Sequence, residues 1–202
     1  MARLRDEEPL VAADSIDVVV SNCVLNLVDP GKKRNLFGEI LRVLKPGGRA
    51  VISDIVSGCP VSKEMMENPE LWSGCLSGAL VDSEFVSAFE TAGFEWTRVL
   101  NYEREPWQIV EGICFHSVSI EARKPLLDTD APSAGEVLYK GPFKEVETDS
   151  GLRLNRGRWA SVETVDLRAL QSDAFSGSVL TRGEPDISPS DENYKGEGSC
   201  CC

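Results

Sequence analysis

Seven cysteines carry the thiol chemistry of this 202-residue chain: Cys23, Cys59, Cys75, Cys114 and the terminal run Cys200, Cys201 and Cys202. A thiolate is both a nucleophile and a soft ligand, so these residues could attack a carbon centre, oxidise or hold a soft ion. The chain contains no C-x-x-C pair, and His116 is its single histidine, which argues against a standard tetrahedral zinc site. Its start, MARLRDEEPL, has no apolar stretch after the arginines, so no secretory signal is expected and the thiols are read as reduced. Thiol chemistry here must come from cysteines that folding brings together.

The elements that would do so read as follows. Ser15 to Cys23, SIDVVVSNC, is a short β-branched run between polar residues and predicts a buried parallel strand. Gly31 to Leu44 carries Leu36, Phe37, Ile40, Leu41 and Leu44 on one helical face, and Lys45-Pro46-Gly47-Gly48 predicts a stop and a tight turn. Arg49 to Ile55 predicts the next strand, so strand, helix and strand follow with short connections, the pattern of a parallel crossover. Ser62 to Gly93 reads as mainly helical, broken near Pro69 and ended at Gly93. Trp96 to Tyr102 and Phe115 to Ala122 alternate as two further strands, and the α/β domain is expected to end near residue 125.

Residues 132–171 predict a small, mostly irregular or β appendage after a TDAPSAG linker. From residue 172 to 202 Ser, Gly, Pro, Asp and Glu dominate, too few large apolar groups to offset ordering entropy, so a disordered tail ending in cysteines is expected.

The formal charge of −12 excludes broad contact with phosphate backbones or anionic lipid, which need clustered Lys and Arg. Nowhere do about 18 apolar residues run uninterrupted. A cytoplasmic protein with a small-molecule partner, no nucleic acid and no membrane is the expectation.

Four strings narrow this reading. LKPGG at Leu44 to Gly48, between a helix and a strand, is a moderately specific sign of a class I S-adenosylmethionine-dependent methyltransferase. SNCVLNLV at Ser21 to Val28, LWSGCLSGAL at Leu71 to Leu80 and GICFHSVSIEARK at Gly112 to Lys124 resemble, in order and spacing, signatures of arsenite methyltransferases. Leu138 to Gly157 also resembles the C-terminal domain of that family. The fold this resemblance implies is α/β: a partial Rossmann-like class I methyltransferase sheet, strands four to seven, with a small C-terminal appendage.

By the same resemblance, Cys75 and Cys114 fall on two family cysteines that hold trivalent arsenic while it accepts methyl from S-adenosylmethionine. Arsenic(III) is soft and three-coordinate, and thiolate sulfur suits it. Ser21, Asn22 and Cys23, at the carboxyl end of the first strand, would border the cofactor. Taken by themselves these residues leave blander roles open. Each cysteine would be a buried apolar group, Ser21 to Cys23 a strand end, Asp54 a turn or helix cap, and Trp72 and His116 packing or surface residues.

The resemblance is incomplete. The Gly-rich loop after the family's first strand, the acidic residue after its second and its N-terminal cysteines have no counterpart here, and Met1 to Asp14 does not align. With two thiolates in place of three, arsenite or methylarsenite is expected to recruit a small thiol such as glutathione. A partner is expected over the exposed sheet edge. Two other functions remain open on these residues: a non-catalytic arsenic-binding or thiol fragment, and a class I methyltransferase for another small molecule.

Overall fold

The computed structural model describes residues 9–125, 135–172 and 174–183. Contacts divide the chain into two compact units, Met1–Leu127 and Asp128–Cys202.

The first unit is built on β1 (Ile16–Asn22), α1 (Pro30–Val43), β2 (Leu44–Ser57), α2 (Lys63–Met66), α3 (Pro69–Ser73), α4 (Asp82–Ala92), β3 (Glu95–Tyr102), β4 (Gln108–Val110) and β5 (Ile113–Arg123). A 3-10 turn, Leu25–Leu27, follows β1. The sheet runs β1-β2-β5-β3, with β4 also on β5. β1 and β2 are parallel, and β5 is antiparallel to β2, β3 and β4. This is the α/β, Rossmann-like partial sheet expected.

Local chemistry explains the boundaries. Asp29 caps α1 by accepting the Gly31 N–H at 2.8 Å, and Pro30, which lacks an N–H, opens the first turn. α4 ends where Gly93 takes φ +97, a conformation that costs glycine little. One boundary differs from expectation. LKPGG was expected as a turn ahead of the strand, but β2 already begins at Leu44. The ladder to β1 pairs Ile16 with Leu44, shifts register, and resumes with Val18 opposite Arg49. Pro46 and the positive φ of Gly47 (+75) are taken up as a bulge inside the pairing. The helical stretch 62–93 is three helices, and β4 was not anticipated because Gln108–Val110 is too short to show a period.

The apolar faces of α1 and α4 meet over the sheet. Phe37, Phe85, Phe89 and Phe94 are buried and contact one another edge to face, with ring centroids 4.9 to 6.4 Å apart. Ala50, Ile52, Val118, Ile120 and Ala122 line the strands beneath. A second cluster of Ile55, Val61, Met65, Leu76, Ala79 and Phe115 joins α2 and the 75–80 loop to the sheet. Buried Glu121 is flanked by Arg98 at 2.7 Å and Arg123 at 3.2 Å. Burial pushes its carboxyl up, but the Arg98 hydrogen bond and the guanidinium charges of Arg98, Arg123 and Arg49 outweigh this and hold it below its usual range. At the edge of the described sheet, β1 leaves Val18 and Val20 exposed.

The second unit has β6 (Gly135–Tyr139), β7 (Glu145–Glu147), β8 (Arg153–Asn155), β9 (Trp159–Val162), α5 (Thr164–Leu170) and β10 (Val179–Arg182). β10-β6-β9 form one antiparallel sheet, and β7-β8 a hairpin. A helix closes the appendage, with Leu167 and Leu170 buried. One expectation is corrected here. The tail expected to be disordered from residue 172 contains β10, because Val179 to Arg182 completes the ladder of β6. The rest of that tail, including Cys200 to Cys202, lies outside the described residues.

Candidate functional site

Where β1 ends, the chain turns abruptly. Asn22 pairs with Ser53, the Cys23 N–H donates to the Ser53 carbonyl at 2.9 Å, and Cys23 takes φ +52. A left-handed conformation is uncommon for a residue with a side chain and is held only where surrounding bonds enforce it. Those bonds come from three buried polar residues that the sequence reading did not single out as a group.

Asp54, at the end of the neighbouring strand, accepts the Leu25 N–H at 2.9 Å and the Ile55 N–H at 2.8 Å, which pins the 3-10 turn. Asn26 donates through Nδ2 to the Ile55 carbonyl at 2.6 Å and to the Cys75 carbonyl at 3.1 Å. Lys33, from the first turns of α1, donates through Nζ to Asn26 Oδ1 at 3.1 Å and to the Gly78 carbonyl. Gly78 has no room for a side chain, because a Cβ would collide with the Asn26 carbonyl. All three polar side chains are at least 96% buried (Asn26 3%, Lys33 4% and Asp54 2% exposed), so each bond holds in a medium that penalises its loss.

The electrostatics follow from that burial. Desolvation pulls Lys33 down to about 8, against the opposing charge of Asp54. Burial pushes the Asp54 carboxyl up, resisted by the N–H groups it accepts and by Lys33.

The network holds the 75–78 loop to the 23–26 loop, and two cysteines meet as a result. Cys75, at φ +62, points Sγ at the Cys23 carbonyl oxygen, 3.4 Å away. Cys23 is exposed and Cys75 half-buried, so both thiols can be reached. Desolvation and the Asp54 charge raise both thiols, and the Cys75 charge adds to the rise at Cys23.

Cys114 stands elsewhere on the sheet. Cys75 packs on the cluster that contains Ile113 and Phe115. Side chains alternate along β5, so Cys114 shares the opposite face with His116. There His116 stacks on Tyr102 with centroids 5.3 Å apart, and the Cys114 charge contributes to raising the Tyr102 hydroxyl, after burial and Asp82. Ser21 and Asn22 occupy the open carboxyl end of β1, where Asn22 is exposed. Asp54 is the turn cap that its residue type suggested. His116 donates through Nδ1–H to the Glu103 carbonyl at 3.0 Å. Among the described residues no three His, Cys, Asp or Glu side chains are grouped to hold a metal ion. No helix among them is long and apolar enough to cross a membrane.

Comparison with known proteins bears directly on this architecture. The methyltransferase-domain family matches residues 3–104. The chain belongs to that family. A domain of unknown function matches residues 129–196. An arsenite methyltransferase of Halobacterium salinarum is 35% identical over 125 residues, 58% of this chain and 32% of that protein. The mouse arsenite methyltransferase is 29% identical over 180 residues, 84% of this chain and 47% of its own length. The chain thus spans about a third to a half of the curated relatives it matches. The crystal structure of an arsenic(III) S-adenosylmethionine methyltransferase from Chlamydomonas reinhardtii superposes with a TM-score of 0.57 at 22% identity, covering 91% of this chain and 64% of that one. That likeness speaks for the fold. The methyltransferase domain therefore presents its parallel strands β1 and β2 with a cysteine-bearing loop clamped across their carboxyl ends.

Proposed function

We propose that this methyltransferase domain serves in methyl transfer to thiolate-bound arsenic(III), with Cys75 and the adjacent Cys23 as arsenic ligands in place of the expected pair Cys75 and Cys114, because Cys114 lies on the opposite face of β5 from the cluster that Cys75 packs on. The observation that supports it most is the placement of Cys75 against Cys23, at the carboxyl end of β1, the edge where open parallel sheets take up ligands. Similarity to arsenite methyltransferases of archaeal and mammalian origin supports the choice of substrate.

S-adenosylmethionine would supply an electrophilic sulfonium methyl. Ser21, Asn22 and Cys23 fit one wall of its pocket, since they form an open polar rim whose backbone is held to β2 through Ser53. Arsenic(III) keeps a lone pair when bound to thiolates, so the chain need not provide a general base. What the protein contributes is position. Holding the arsenic beside the methyl removes translational and rotational freedom, worth about 7–11 kcal/mol of barrier when geometry is ideal. Asn26 and Lys33 do this indirectly, by fixing the backbone that carries Cys75. A small thiol such as glutathione would complete the arsenic coordination, a further polypeptide segment would cover the exposed β1 edge, and a reducing cytoplasm would keep the thiols free.

The test incubates the full chain with arsenite, S-adenosylmethionine and glutathione, and reads methylarsenic species by liquid chromatography with elemental mass detection. Methylarsenic that disappears in Cys75→Ser and in Cys23→Ser, and persists in Cys114→Ser, is the expected result. Arsenite retained by the chain without any methylation would turn the reading toward a non-catalytic thiol module. Methylation unaffected by either substitution would remove the cysteines from the site.

A further inference from the structure

We propose that the acidic segment Glu184 to Tyr194 docks on a basic patch of the second unit, formed by residues 140–144 and 155–158. The inference is independent of the arsenic reading. Two loops build the patch and fasten each other. The Arg156 N–H donates to the Lys144 carbonyl at 3.0 Å, its guanidinium to the Pro142 carbonyl at 2.8 Å, and the Gly157 N–H to the Tyr139 carbonyl at 2.8 Å. The hydroxyl of the buried Tyr139 accepts the Phe143 N–H at 3.1 Å. These bonds fix the backbone of Phe143 while the residue stays 67% exposed.

A single exposed phenylalanine is ordinary by itself. Its surroundings are not. Lys140, Lys144, Arg156 and Arg158 flank it, and all four are exposed. Arg153 and Arg182 have carboxylate partners in Glu147 and Glu136, whereas among the described residues these four have none. Lys140 and Arg156 donate to the Ser176 and Pro142 carbonyls, bonds that leave their charge unneutralised. Glu145, next to Lys144 in sequence, offsets one of the four cations. The patch therefore stays positive in a chain whose formal charge is −12.

Charge complementarity selects the occupant. Glu184, Asp186, Asp191 and Glu192 bring four carboxylates to a segment that holds no Lys or Arg, and Ile187 and Tyr194 supply apolar groups to cover Phe143. Reach permits the contact. Arg182, where β10 ends, pairs with Glu136, so the chain leaves about 14 Å along β6 from Lys140. The stretch from Arg182 to Asp191 spans up to about 30 Å when extended. The domain of unknown function matched over 129–196 also includes this segment together with the patch. Tethering to the same chain gives an effective concentration on the order of millimolar, at which weak exposed ion pairs suffice. A separate acidic polypeptide lacks that advantage and meets the negative field of the whole chain.

The test uses an equal mixture of unlabelled and nitrogen-15-labelled full chain, treated with a water-soluble carbodiimide that joins carboxylates to amines. Linked peptides are then located by mass spectrometry. Links from Asp191 or Glu192 to Lys140 or Lys144, within one isotope composition and fading at about 1 M salt, are the expected result. Links of mixed isotope composition make a second copy the occupant and overturn the inference. Equal linking to Lys45, Lys63 and Lys124, or no linking at all, overturns it as well. As a second measurement, chymotryptic cleavage after Tyr194 is timed, with the fold checked by circular dichroism. Lys144→Glu combined with Arg158→Glu should accelerate that cleavage about fivefold, the scale of one or two exposed ion pairs. Adding Asp191→Lys and Glu192→Lys should restore the parent rate. An unchanged rate in the first variant, or no restoration in the second, overturns the inference.

Discussion

Around Phe89 the methyltransferase domain is held by aromatic packing, and around Asn26 by hydrogen bonds. The four phenylalanines contact one another edge to face and pack on an apolar sheet surface. Such contacts stabilise strongly but have little directionality, so they set how closely α1 and α4 approach the sheet and little else. The Asn26, Lys33 and Asp54 bonds are individually worth much less, yet each specifies one donor and one acceptor. The difference teaches that stability and placement have separate sources here. The aromatic cluster keeps the domain folded, and the polar network decides where the cysteines stand.

The largest expected effect breaks the first side of that comparison. Phe89 is fully buried and touches three other phenylalanines. Phe89→Ala should cost about 3–5 kcal/mol of unfolding free energy, measured by urea titration. A loss below about 1 kcal/mol would mean that the cluster collapses without penalty and contributes less than its burial suggests.

Breaking the second side should have a smaller energetic and a larger local consequence. In Gly78→Ala the new methyl collides with the Asn26 carbonyl, which is backbone and cannot swing away. The expected cost is about 1–3 kcal/mol. The loop bearing Cys75 should lift from the β1 turn, so alkylation of Cys75 should accelerate relative to Cys59. An unchanged ratio of the two rates would show that the network does not govern the placement of the cysteine.

The smallest effect sharpens the comparison through pH. Lys33 titrates at about 8 when folded and at about 10.4 when unfolded, so between these values the unfolded chain binds more protons. The sign is therefore a stability that rises with pH across that window, by up to about 1.4 kcal/mol per pH unit. Cys23 and Cys75 act in the opposite sense, since their raised thiols hold protons longer in the folded state. They are common to the parent and to Lys33→Met, so the difference between the two chains isolates Lys33. That difference should grow in the parent's favour from pH 8 to 10. A pH-independent difference would show that Lys33 is not held at a depressed value.

The strand, helix, strand order of residues 15–55 was legible because each element carries a clear apolar period and sits between strong stop signals. LKPGG was recognised as a motif, yet its role as a bulge within β2 was not, because a register shift depends on the partner strand. β4 and β10 were too short to show a period, and β10 lies in a polar stretch that only pairing with β6 orders. Within the site, Lys33 carries a trace in the sequence itself. It lies at the helical spacing of Leu36, Phe37 and Ile40, on the face that packs inward, where a charge must have a partner. Asn26 lies inside SNCVLNLV, and nothing local in that string marks it as buried.

By itself the sequence determined the α/β class, the family resemblance and the four internal cysteines that could serve as soft ligands. These are local or cumulative properties, written in apolar periodicity, turn residues and ordered motifs. Which cysteines meet was a matter for the tertiary structure alone. Cys23 and Cys75 are joined because β1 and β2 lie side by side, and because Asn26 and Lys33 bind carbonyls of a loop some 45 to 49 positions away. No spacing within either segment encodes that contact: it exists only once burial makes those particular hydrogen bonds costly to leave unmade.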